Sequence, residues 1–175
     1  CGPGTFSHGG EAECSPCAPG TFGTSEGMAG NLCKACPADE TSVQGASECF
    51  KCGAGTRPSE QGAGCEPCGP GTYGLDGSLC INCPGGTFST ISALAEASGC
   101  QACPPGTSSE GVGSDHCYPC DAGKFASSAG ANQCESCLQG EKRGENDPAT
   151  TCIKCDAGYY TNGQMGRREC LPCPD

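Results

Sequence analysis

Cysteine is the residue type whose number and spacing in this chain indicate a chemical role. The chain holds 21 cysteines, and all but Cys1 fall into ten pairs with the spacing C-x-x-C, such as "CESC" at residues 134–137. A pair of this kind can contribute two ligands to a zinc ion, act as a redox dithiol, or supply one cysteine to each of two disulfide bonds. These three chemistries imply different folds, compartments and functions.

Zinc and redox chemistry both fit the array poorly. Ten consecutive pairs would need about five separate four-cysteine zinc sites, and the two histidines, His8 and His116, lie outside the pairs. A redox dithiol needs one reactive pair at the start of a helix, whereas these ten pairs resemble one another and none precedes a helical pattern. Both chemistries stay open as alternatives, but the sequence favours no metal and no cofactor.

Disulfide bonds account for the odd number of cysteines. Cys1 resembles the second half of a pair, because "CGPGTF" at the start matches "CAPGTF" after Cys17. Joining each second cysteine to the first cysteine of the next pair leaves Cys173, whose partner is expected outside this chain, as in a fragment of a longer protein. This ladder predicts the bonds Cys1–Cys14, Cys17–Cys33, Cys36–Cys49, Cys52–Cys65, Cys68–Cys80, Cys83–Cys100, Cys103–Cys117, Cys120–Cys134, Cys137–Cys152 and Cys155–Cys170. A crossed connectivity between successive pairs stays open, although short loops close more readily.

Composition supports a disulfide scaffold. Of 175 residues only 35% are hydrophobic even with cysteine included, and tryptophan is absent. So few apolar residues cannot build one continuous core, whereas a cysteine content this high is typical of disulfide-stapled proteins in oxidising compartments. Thirty glycines and fourteen prolines favour turns over helices. The predicted fold is therefore small and disulfide-rich, an elongated rod of short β-hairpin-like loops with almost no helix and no single hydrophobic core.

A repeated pattern positions the cysteines. Glycine stands three residues after nearly every second cysteine, often followed by threonine and an aromatic residue, as in "GTF" and "GTY", and a further glycine precedes the next pair. Glycine suits a turn with positive φ, and threonine with an aromatic suits a short extended segment, so each repeat predicts a small hairpin with one aromatic as its own core. Only "STISALAEAS", residues 89–98, has a helical pattern, with Ile91, Leu94 and Ala95 on one face. The predicted repeats are 1–16, 17–35, 36–51, 52–67, 68–82, 83–102, 103–119, 120–136, 137–154 and 155–172, with a truncated repeat at 173–175.

The consensus C-x-x-C-x-x-G-T-[FY] resembles the ephrin-receptor-like cysteine-rich repeat along the whole chain, and more distantly tumour-necrosis-factor-receptor and EGF-like modules. The resemblance implies an extracellular location, secreted or at the cell surface, and a rod of stacked disulfide loops. In such an array we expect contacts only between adjacent repeats. The receptor modules bind ligands, but no ligand-contact motif of theirs is present here.

The charge and the motifs of the chain disfavour several classes of function and partner. The net charge of −11 disfavours nucleic acid and anionic membranes, and the basic spots at 141–143 and 166–169 are expected to be solvated loop tips. No apolar run could span a bilayer, and no Ser-His-Asp set or carboxylate pair suggests an enzyme. No Asn-x-Ser/Thr sequence occurs, which leaves O-glycans as the expected form for a glycoprotein.

Two functions fit these properties. The first is a structural protein, a spacer or a subunit of a surface fibre or coat that associates with itself, with Ile91 and Leu94 as candidate contact residues. The alternative is the ectodomain of a receptor or adhesin that binds another extracellular protein through its loops.

Overall fold

A computed structural model describes residues 1–8, 13–26, 30 and 32–174. Asp175, in the predicted truncated repeat, and parts of the first two repeats lie outside the described residues. The described chain forms short strands paired in consecutive order into two-stranded sheets, one sheet in each predicted repeat. The strands are β1 (Thr5–Phe6), β2 (Ser15–Pro16), β3 (Thr21–Phe22), β4 (Lys34–Ala35), β5 (Glu40–Thr41), β6 (Phe50–Lys51), β7 (Thr56–Pro58), β8 (Cys65–Pro67), β9 (Thr72–Tyr73), β10 (Ile81–Asn82), β11 (Thr87–Phe88), β12 (Gln101–Ala102), β13 (Thr107–Ser108), β14 (Tyr118–Pro119), β15 (Lys124–Phe125), β16 (Glu135–Ser136), β17 (Glu141–Lys142), β18 (Ile153–Lys154), β19 (Tyr159–Tyr160) and β20 (Leu171–Pro172). The predicted small disulfide-rich fold of hairpin loops with almost no helix is confirmed.

A Gly-Thr dipeptide forms the turn that begins the hairpin in six of the repeats. In the first repeat Gly4 has φ 79°, and the Thr5 amide donates to the carbonyl of Gly2 at 3.1 Å. Proline before a glycine of positive φ is the usual sequence of a type II turn. The Thr5 hydroxyl donates to the same carbonyl at 2.8 Å, so threonine reinforces the turn. Equivalent hydroxyl bonds are made by Thr21, Thr56, Thr72, Thr87 and Thr107.

Main-chain hydrogen bonds join each repeat to the one before it. The Cys103 amide donates to the carbonyl of Gly86 in the preceding repeat at 2.9 Å. In the next repeat, the Gly130 amide donates to the carbonyl of Cys103 at 2.8 Å. The bond from a glycine amide to a cysteine carbonyl of the preceding repeat recurs three more times. It joins Gly45 to Cys17, Gly113 to Cys83 and Gly166 to Cys137. In these four repeats the turn glycine before the cysteine pair is therefore an inter-repeat contact.

Repeats also touch the repeat after next, so the prediction of contacts only between adjacent repeats is wrong. A Cβ added to Gly86 in the sixth repeat would overlap the carbonyl oxygen of Gly130 in the eighth, and Gly123 has the same relation to Gly166. Glycine permits this approach because it has no side chain, and a hairpin with two-residue strands is too thin to separate its neighbours.

The buried interior consists mainly of cysteines and small hydroxyl side chains. Cys17, Cys68, Cys83, Cys103 and Cys137 are fully buried, as are Ser42 and Ser109. The Ser109 hydroxyl donates to the carbonyl of Thr87 at 3.1 Å, and Ser42 makes the equivalent bond to Thr21 at 2.8 Å. Each of these hydroxyls therefore joins its repeat to the preceding one.

The prediction that an aromatic side chain is the core of each repeat is correct for Phe6, which is 7% exposed and packs against Cys17. It is wrong for the other aromatics at this position, Phe22, Tyr73, Phe88, Phe125 and Tyr160, which are only half-buried. The adjacent disulfide occupies the centre in their place.

The chain divides into two compact units. The first comprises Cys1–Ile81 and Ile91–Gly99, and the second comprises Asn82–Thr90 and Cys100–Asp175. The insertion 91–99 belongs to the first unit because Ala93 donates its amide to Cys68 at 2.8 Å and Leu94 accepts a bond from Gly74 at 2.9 Å.

The helix predicted in residues 89–98 is wrong, because the only helical turn there is a 3₁₀ turn at Ala97–Gly99. Ala93 has φ 59°, which no right-handed helix allows. The bonds of Ala93 and Leu94 to the preceding repeat use the backbone groups that a helix would need.

Candidate functional site

The cysteines are joined as a ladder of ten disulfide bonds. Each bond links the second cysteine of one pair to the first cysteine of the next, with Cα atoms 5.4–5.8 Å apart. The structure has this connectivity and not the crossed one. Cys173 is exposed and forms no disulfide bond within the described part of the chain.

The bridges differ in their burial. Three disulfide bonds each contain one fully buried cysteine, which is the second cysteine of its C-x-x-C pair. These cysteines are Cys68, Cys83 and Cys103. In the third repeat, Cys36 and Cys49 are both only half-buried, although repeats flank this bridge on both sides. A thiolate from solvent can approach sulfur more easily at this bridge.

The described residues contain no group of three or more His, Cys, Asp or Glu side chains that could hold a metal ion. His8 packs edge-on against Phe6, with ring centroids 5.0 Å apart. His116 contacts the carboxylate of Asp115, and its ring lies 4.2 Å from that of Tyr118. Both histidines therefore have local packing roles.

Several carboxylates stabilise loops. Asp147 accepts a bond from the Gly144 amide at 2.7 Å. Asp39 lies 2.8 Å from the Lys51 amine, and the hydrogen bond from Lys51 lowers the pKa of this carboxyl below its usual value. The Ser78 hydroxyl likewise lowers the pKa of Asp76.

Large apolar side chains are exposed at one position of alternate C-x-x-C pairs, the first residue between the two cysteines. Phe50, Ile81, Tyr118 and Ile153 are 43%, 41%, 58% and 42% exposed. The intervening pairs carry Glu66, Gln101 and Glu135 at this position. This alternation was not predicted, although it is visible in the sequence at equivalent positions of successive pairs.

The candidate contact residues Ile91 and Leu94 have different environments. Ile91 is 53% exposed. Leu94 is half-buried, its backbone pairs with Tyr73, and its side chain fills the space where a Gly99 side chain would stand. The two side chains therefore do not form the common exposed face that a helix would have given them.

Comparisons with known proteins agree with the repeat pattern. Residues 4–47 match the family model described as tyrosine-protein kinase ephrin type A/B receptor-like. The chain is also 29% identical over 110 residues to the Sushi, von Willebrand factor type A, EGF and pentraxin domain-containing protein 1 of Rattus norvegicus. That alignment covers 62% of this chain and 3% of the relative's length. Among the described residues, no helix has the length and apolar character that crossing a membrane requires.

The fold and these matches define an extracellular type of cysteine-rich module, of the receptor-like class rather than an enzyme family. More specifically, the match at residues 4–47 and the run of tandem disulfide bonds support cysteine-rich repeats similar to the ephrin-receptor-like repeat.

Proposed function

We propose that this chain is a structural spacer of an extracellular or cell-surface protein. The observation that carries the proposal is the recurrence of one inter-repeat bond, from the turn amide of one repeat to a cysteine carbonyl of the preceding repeat, at 2.8–2.9 Å in both units. Repeats joined by the same backbone contacts form an array of defined spacing, which is what a spacer requires.

The spacer can also be the subunit of a surface fibre or coat. Ile91 supports this form of the proposal, because it is a large apolar side chain exposed on the insertion of the sixth repeat. Leu94 contributes by holding the insertion in place, since it packs against Gly99. Association through Ile91 would bury apolar surface that a chain without a continuous core leaves in water.

Sedimentation velocity over a range of protein concentrations, together with small-angle X-ray scattering, tests both forms. A spacer stays monomeric, with a radius of gyration well above the roughly 16 Å of a globule of this length. A fibre subunit forms larger species that Ile91→Asp abolishes. Val112→Asp is the matched control, because Val112 is also exposed but lies in a different repeat. A compact monomer would contradict both forms.

A second function, a receptor or adhesin that binds a protein ligand, is favoured by the alternating exposed side chains. Phe50 and Tyr118 are aromatic, and exposed aromatic residues are enriched in protein interfaces. Fluorescently labelled chain should then bind to cells, and Tyr118→Ser should remove the binding. Glu135→Ser, at the same position of the next pair, is the control and should leave it intact. Failure of the wild-type chain to bind would reject this function.

A further inference from the structure

Two basic segments that are far apart in sequence meet in the structure. The Arg143 amide in the ninth repeat donates to the carbonyl of Arg167 in the tenth at 3.1 Å, and Lys142 pairs with Arg167 in a parallel bridge. The expectation that both segments are solvated loop tips is wrong for Arg143, which is 4% exposed. The inter-repeat contact therefore brings Lys142, Arg143, Arg167 and Arg168 into one basic cluster.

Basic charge is concentrated in this part of the chain. Residues 1–136 carry four basic and fourteen acidic side chains, whereas residues 137–174 carry five of each. Two of the local carboxylates already have partners, because Glu145 lies 3.6 Å from Arg168 and Asp147 caps the Gly144 amide. Electrostatic repulsion of an anion by this acidic chain is therefore weakest at residues 137–174.

The guanidinium groups of Arg143 and Arg167 donate to neutral partners. Arg143 donates through Nη1 to the carbonyl of Asp121 at 2.6 Å and through Nε to that of Pro148 at 3.3 Å, so no carboxylate balances its charge. Arg167 donates through Nη1 to the side-chain oxygen of Gln164 at 2.9 Å.

One donor of this cluster has no partner at all. The Arg167 Nε atom is buried without a hydrogen bond. The protein's own groups therefore leave the guanidinium of Arg167 incompletely satisfied, which is rare for a buried donor.

The cluster also has a cleft that can receive an acceptor. Gly166, Arg167, Arg168 and Glu169 line a cavity of about 280 Å³. The cavity is open to solvent on one side and large enough for a single oxyanion, and the planar guanidinium matches such groups through paired N–H donors.

We propose that this cluster binds a sulfate group of an extracellular sulfated glycan. A sulfate ester in this cavity supplies acceptor oxygens to the guanidinium groups of Arg167 and Arg168, which line it. Its fixed negative charge also complements Arg143, whose hydrogen-bond partners are neutral. A glycan of the cell surface or matrix is the source that fits an extracellular module. The acidic first part of the chain limits contact to a short stretch of the glycan.

Calorimetric titration of the whole chain with a heparin-derived octasaccharide at 50 mM salt tests the site. Arg167→Gln together with Arg168→Gln should weaken binding roughly tenfold or more, because each charge-assisted hydrogen bond contributes about a factor of ten. Lys34→Gln with Lys51→Gln is the control, since it removes the same charge from the second and third repeats. Disulfide mapping of both double variants verifies that the fold is intact.

Four results would overturn the proposal. They are absence of wild-type binding, equal loss in the two double variants, full binding of a desulfated octasaccharide, and displacement by inorganic sulfate at an equal concentration of sulfate groups. The last result would identify a free anion as the ligand. Binding of the sulfated octasaccharide alone, lost in the arginine variant alone, would support the proposal.

Discussion

Single glycine residues determine how closely the repeats approach one another. Gly86 and Gly140 occupy the same position in their repeats, and both have φ 79°. A Cβ on Gly86 would overlap the Gly130 carbonyl, whereas a Cβ on Gly140 would meet no atom within 4 Å. The two positions thus share a conformational requirement but differ in packing.

This difference predicts unequal effects of the same substitution. Gly140→Ala should cost about 1–2 kcal/mol, the penalty of a left-handed conformation for a residue with a side chain. Gly86→Ala should cost about 1–3 kcal/mol more, because the neighbouring repeat must also shift. Differential scanning calorimetry with the disulfides intact measures both variants, and equal melting temperatures would contradict the close approach at Gly86.

The positive φ of the turn glycines could be predicted from sequence, because glycine after proline and three residues after a cysteine is a local turn signal. The burial of Cys17, Ser42 and Ser109 could not be predicted in the same way. It depends on atoms supplied by neighbouring repeats, and those contacts leave no local pattern in the sequence. The proximity of Lys142 to Arg167 was missed for the same reason.

At the scale of the element, each hairpin is a pair of very short strands closed by one disulfide. The strands could be predicted because threonine and aromatic residues recur at a fixed distance from the cysteines. The insertion of the sixth repeat could not, because its apolar spacing resembles a helix. Its backbone is instead fixed by the bonds of Ala93 and Leu94 to the fifth repeat.

The burial of the bridges predicts the order in which they are reduced. Cys36–Cys49 should open before Cys103–Cys117, because both of its cysteines are half-buried whereas Cys103 is fully buried. Brief treatment with a small thiol, followed by alkylation and peptide mapping, would show label at Cys36 and Cys49 before label at Cys103 and Cys117. Earlier labelling of Cys103 and Cys117 would show that burial does not control access.

At the scale of the whole molecule, the disulfides take the place of a core. Apart from Phe6 and Ala126, every buried hydrophobic residue in the described chain is a cysteine, and the other buried residues are glycines and polar or charged residues. The hydrophobic effect therefore contributes little that does not depend on the bridges. The elongated form expected from the sequence stays a prediction for solution scattering.

Complete reduction should consequently unfold the entire chain. Each bridge closes a short loop and contributes about 3 kcal/mol by restricting the unfolded state, while ordering each backbone residue costs about 1–2 kcal/mol. Without the bridges, half-buried aromatics such as Phe22 and Phe88 cannot offset that cost. The ¹H–¹⁵N correlation spectrum of the reduced and alkylated protein should collapse to the narrow amide range of an unfolded chain. Treatment of the oxidised protein with EDTA is the control and should leave its dispersed spectrum unchanged. Dispersion that survives full reduction would reveal a core that the buried residues do not account for, and collapse in EDTA alone would point to a bound metal ion in place of the disulfides.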